Sequence, residues 1–128
     1  TPEETAALAT KIAKYKALEG VVFKNKRDGA CDVKALVANA KLLGANPDVY
    51  SAWNHRREML ADFIPTLEGE ALAKAWEAEL ALTVTALERN PKSYGAWHQR
   101  RYIVTQCKAS LERELALCSK FLDLDQRN

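Results

Sequence analysis

The residues best placed to do chemistry lie in the stretch NPKSYGAWHQRR, Asn90 to Arg101. Asn before Pro predicts a helix start, with Asn capping free backbone N–H groups and Pro fitting the first helical position. The next residue then stands at the positive end of the helix dipole, where an acid is favoured. It is Lys92. Free N–H groups and an ammonium in one place both favour phosphate, so the chemistry this pattern suggests is the holding of an anion. An earlier copy, NPDVYSAWNHRR from Asn46 to Arg57, carries the expected acid, Asp48. The bland alternative is a solvated lysine, which loses only about 0.3–1 kcal/mol at a helix start. No Gly-rich phosphate loop, Ser-His-Asp set or carboxylate pair accompanies Lys92, so no complete active site is expected on this chain.

The other repeated residues suggest architecture. Tyr50 and Trp53 are three apart, as are Tyr94 and Trp97, so each pair shares a helix face, and packing between layers is expected of the tryptophans. Arg56 and Arg57, like Arg100 and Arg101, follow Trp by three and four, which suits stacking or pairing with neighbouring acids. His55 and His98 occupy adjacent rather than equivalent places in the two copies, which argues against a shared catalytic role. Cys31, Cys107 and Cys118 include no C-x-x-C and have no His at zinc-ligand spacing, so no metal site is expected. Cys107 and Cys118 read as small core residues, and the cysteine usage suits a reducing cytosol.

These residues need helices to position them. Strand patterning is almost absent, and the expected class is all-α. Thr1, Pro2 and Glu4 stand in capping-box order before a first helix that ends ahead of Asp28-Gly29. Its Leu8, Ile12, Tyr15, Leu18 and Val22 predict one buried stripe. Further helices are predicted at about 32–43 with Gly44 as a stop, from Asn46-Pro47 to about Ile64, at about 66–87, from Asn90-Pro91 to about Gln106, and at 110–122.

The two motif copies agree at seven of twelve positions, 44 residues apart, and ELAL recurs 35 residues on, at Glu79–Leu82 and Glu114–Leu117. The same 35 carries Asn90 to Asp125, so the final DQRN reads as the start of a third copy and the chain as a fragment. A period in the mid-thirties with two helices per unit predicts an α-α superhelix, a solenoid of helical hairpins. One domain is expected: an N-terminal helix at about 1–28, repeats at about 32–65 and 66–107, and a third beginning at about 110–128. A net charge of +2 with dispersed lysines argues against nucleic-acid or membrane-surface partners. No apolar run approaches the roughly 20 residues that span a bilayer, so no membrane insertion is expected.

The tandem Asn-Pro-x-x-Tyr-x-x-Trp-x-x-Arg-Arg motif resembles the signature repeat of the protein prenyltransferase α subunits, over nearly the whole chain from about Ala38. The helix containing KYKALEGVVFKNKRDG is similar to the start of the Rab type, geranylgeranyltransferase type II. The resemblance implies a cytoplasmic heterodimer in which helical hairpins wrap a barrel-shaped β subunit that holds zinc and most of the isoprenoid pocket. This chain would itself bind no cofactor, and the fragment alone would be inactive. A zinc-activated cysteine thiolate of the substrate attacks the first carbon of the prenyl diphosphate. Lys92 matches the lysine that reaches toward the departing diphosphate, and Tyr94 the tyrosine that lines the site. Gly95 stands where CaaX-reading members usually carry Gln for the substrate carboxylate. That departure favours the Rab type, whose substrate, a Rab GTPase, comes with an escort protein. The other expectations are the α subunit shared by farnesyltransferase and geranylgeranyltransferase type I, and a tetratricopeptide-like scaffold without enzymatic activity.

Overall fold

The computed structural model describes residues 1–107 and 111–127; the side chains of 111–114 and 125–127 lie outside the description. Among the described residues there are six α-helices, one short 3₁₀ turn and no strand: α1 (Pro2–Arg27), α2 (Val33–Ala45), α3 (Tyr50–Phe63), a turn at Ile64–Thr66, α4 (Gly69–Arg89), α5 (Tyr94–Cys107) and α6 (Leu111–Arg127). α2 packs on α3, and α4 on α5, forming two successive hairpins. The hairpins stack as like on like, α2 against α4 and α3 against α5, with α1 laid on α2 and α3. This is the expected superhelical stacking, in which each hairpin buries its apolar face only against its neighbours.

Local chemistry explains most helix ends. Thr1 and Glu4 close the capping box of α1. Asp32 caps α2, its Oδ1 accepting from the Ala35 N–H at 2.8 Å. Gly44 does not stop α2. It sits inside the helix, where a Cβ would meet Thr85 Cγ2 at 3.7 Å, an ordinary van der Waals contact. α4 starts at Gly69, whose φ of +59° only glycine adopts freely, and not at Thr66, because Ile64–Thr66 continue α3 as a tighter turn. α6 continues past Leu122 to Arg127, through Asp125.

The Asn-Pro dipeptides correct the sequence expectation. α3 and α5 begin at Tyr50 and Tyr94, four residues after the Asn, and Asn46 and Asn90 instead terminate α2 and α4. Each Asn has an extended backbone, and its N–H closes the preceding helix on Leu42 or Ala86. Its side-chain Oδ1 accepts from the N–H two residues on, Asp48 or Lys92, at 3.1 Å. This is an Asx turn, a structure that competes with the N-cap for the same residue types.

The core centres on Trp53, Leu42, Leu43, Ala86, Leu87 and Ala96, with Val22 from α1 and Phe121 from α6. A second cluster joins Leu60, Leu80 and Ile103, with Cys107 packed against it. The α1 stripe is buried only in its C-terminal half. Val22 is 2% exposed, but Ile12 and Leu8 are 47% and 57% exposed. The reason is length: α2 ends at Ala45, and Asn46 beside it reaches Tyr15, so α1 overhangs from there to its start.

Candidate functional site: the Lys92 turn and the face around Tyr94

Lys92 is exposed in the turn between α4 and α5. It precedes the helix, so the first turn of α5 begins two residues later and the lysine does not stand within it. The residue that caps α5 is Ser93, which the repeat motif does not single out. Its Oγ accepts from the Ala96 N–H at 3.2 Å and donates to the Pro47 carbonyl at 3.0 Å, and the side chain is 1% exposed. A serine just ahead of a helix is a visible signal; the contact across 46 residues is not.

Tyr94 is 81% exposed and borders two grooves. The larger, of about 640 Å³, runs past Pro91, Lys92, Trp97, Cys118 and Phe121. The smaller, of about 370 Å³, lies between Tyr94 and Tyr50 and holds Asn54, Arg57 and His98. Tyr50 is also exposed, so neither tyrosine shares the burial of the tryptophan three residues on. Gly95 is buried at the floor of the smaller groove. A Cβ there would come within 2.8 Å of Trp53 Cδ1 and 3.2 Å of the Pro47 carbonyl. Its first role is therefore steric: it lets α5 close onto the indole.

The remaining motif residues are architectural. Trp53 Nε1 donates to the Pro47 carbonyl and Trp97 Nε1 to the Pro91 carbonyl, each at 2.8 Å, so each repeat ties its Pro turn to its own helix. Arg56 makes a bidentate pair with Glu79 of α4 at 2.7 Å on both nitrogens, and its Nη1 donates to Leu36 O and Asn39 Oδ1. Arg100 repeats the second half of this pattern, donating to Leu80 O and Thr83 Oγ1. Both arginines thus bond the carbonyl and the polar side chain one turn apart on the first helix of their own hairpin. Arg57 crosses to the next layer, donating to Gln99 Oε1 at 2.7 Å, and also to Asn54. Partial burial pushes its guanidinium down from the ordinary arginine value, opposed by Tyr102. His55 is buried while His98 lines the smaller groove, so the two histidines share no site. Cys31 is exposed at the start of α2, its thiol donating to Met59 O at 3.4 Å. Loss of surrounding water, then Asp62 and Asp32, push that thiol up, away from a reactive thiolate. Among the described residues no three His, Cys, Asp or Glu could hold a metal ion, and no helix is long and apolar enough to cross a membrane.

The model of the protein prenyltransferase alpha subunit repeat matches residues 33–63 and 76–107. These are α2–α3 and most of α4–α5, the two stacked hairpins. The chain belongs to the protein prenyltransferase α-subunit repeat family. Among proteins similar to it is the geranylgeranyl transferase type-2 subunit alpha of Bos taurus, 39% identical over 119 residues, which are 92% of this chain and 21% of that protein. The protein of the same name from Homo sapiens is 38% identical over the same share of both chains. That of Dictyostelium discoideum is 32% identical over 107 residues, 83% of this chain and 34% of its own. The chain therefore spans about a fifth of the length of the mammalian prenyltransferase subunits it matches.

Proposed function

We propose that this chain is part of the α subunit of a heterodimeric Rab geranylgeranyltransferase. With a β subunit, the enzyme transfers a geranylgeranyl group from geranylgeranyl diphosphate to C-terminal cysteines of Rab GTPases presented by an escort protein. The chain scaffolds the β subunit through its hairpins and supplies Lys92 to the leaving group. The zinc that the family resemblance implies has no donor set among the described residues, and this reading assigns it to the partner.

The observation that carries the proposal is the combination of tandem family repeats with an exposed Lys92 that lines, together with Tyr94, Trp97 and Phe121, a largely apolar groove. As the thiolate bonds to the first carbon of the prenyl chain and the carbon–oxygen bond breaks, the electron pair leaves with the diphosphate. An ammonium about 4 Å away interacts with a unit charge by roughly 4 kcal/mol at an effective dielectric of about 20. Only the part gained in the transition state raises the rate.

Lys92→Ala in the full-length α chain, co-expressed with its β partner, is expected to lower single-turnover geranylgeranyl transfer to an escort-bound Rab by roughly 10²-fold. The heterodimer should remain intact. An unchanged rate returns Lys92 to an ordinary surface lysine, and the absence of both activity and a stable β partner in the wild type removes the enzymatic reading altogether.

A further inference from the structure

Asp48 and Lys92 occupy the same place in successive repeats with opposite charges, and the hydrogen bonds around them explain the acid at position 48. Asn46 Nδ2 donates to Tyr15 Oη at 3.0 Å, and Asn46 Oδ1 accepts from the Asp48 N–H at 3.1 Å. Asp48 Oδ2 accepts from Asn90 Nδ2 at 3.1 Å, and Asn90 Oδ1 accepts from the Lys92 N–H, also at 3.1 Å. One relay thus runs from α1 through the first repeat to the backbone of Lys92. A second tie comes from the same turn: the Ser93 hydroxyl donates to the Pro47 carbonyl at 3.0 Å. Pro47 and Asp48 therefore hold Lys92 and its neighbour from two sides. An acceptor is needed at position 48, because the group facing it is the amide donor of Asn90. A lysine there would set donor against donor.

We infer that Asp48 is a positioning residue for Lys92, acting through Asn90 to fix the turn that presents the ammonium. The rate consequence rests on the proposed function of Lys92; the effect on the turn does not.

The test uses the full-length α chain in its heterodimer, with Asp48→Ala, Asp48→Asn, Lys92→Ala and the Asp48→Ala/Lys92→Ala double variant. Two quantities are read: deuterium uptake by the backbone segment 90–94, and the single-turnover transfer rate beside the affinity for the prenyl diphosphate. Asp48→Ala should speed uptake in that segment and lower the rate roughly 3- to 10-fold, the factor set by one net hydrogen bond. Asp48→Asn keeps an acceptor oxygen and should restore both. Asp48→Ala should cost nothing further once Lys92 is gone. Unchanged uptake in Asp48→Ala overturns the relay whatever the rates do. Faster uptake with an unchanged rate, while Lys92→Ala is slow, overturns the positioning role. If Lys92→Ala itself is fully active, the proposed function of that lysine fails, and the relay stands or falls on uptake alone.

Discussion

At the scale of single residues, the same change has opposite consequences at two glycines. Gly95 faces the Trp53 indole with no room for a methyl group, whereas a Cβ at Gly20 meets nothing within 4 Å. Gly95→Ala is expected to destabilise the chain by about 1–3 kcal/mol, because the indole must shift within a packed core. Gly20→Ala, in the middle of exposed helix, should stabilise it by roughly 0.5–1 kcal/mol. Denaturant unfolding of the two variants checks both signs, and destabilisation by both would contradict the geometry. Gly95 carries a second meaning besides its fit against the indole. Its type can be read as the mark of a branch of the family. The steric reason becomes visible only when Trp53, from the previous repeat, is seen against it.

At the scale of elements, each hairpin is pinned by an arginine inside it. The Arg56–Glu79 pair lies between α3 and α4, each side chain only 7% exposed, and Arg56 also bonds two acceptors of α2. Three helices from two repeats therefore meet at one guanidinium. Removing a partner leaves a buried charge uncompensated, so Glu79→Ala should cost about 3–5 kcal/mol, and Glu79→Gln less because it keeps one acceptor. Thermal unfolding would show this order, and an equal loss for both would point to packing rather than charge. The helices themselves were legible from periodicity and capping residues, as α1 and α2 show. The starts of α3 and α5 were not. An Asn before Pro satisfies the composition of both an N-cap and an Asx turn, and the choice depends on whether the preceding helix needs its last carbonyl closed there. Lys92 and Tyr94 are both exposed, which residue spacing alone does not encode. The Ser93–Pro47 and Asp48–Asn90 contacts were hidden because they join residues 46 and 42 positions apart, which no local pattern encodes.

At the scale of the whole molecule, burial follows the stack of hairpins and fades toward the start of α1. Leu8 and Ile12 continue an apolar stripe beyond the end of the helix that covers it. Replacing both with Gln is expected to change the stability of this chain by less than about 0.5 kcal/mol. Leu42→Ala, at a residue with no exposure, should cost about 2–5 kcal/mol. Calorimetry on the two variants would show whether the N-terminal overhang is independent of the core. A deeper consequence lies in the contact between Gly95 and Trp53. The position equivalent to Gly95 in the first copy is Ser51, which is followed by the same Ala-Trp. A chimera that duplicated the first unit in place of the second would drive a hydroxymethyl group into the indole beneath it. It would also lose the hydroxyl that grips Pro47, since Val49 stands where Ser93 does. Resemblance between the units is thus no licence to shuffle them: each is cut to the one below it, and the order of the stack is written into the places where the copies differ.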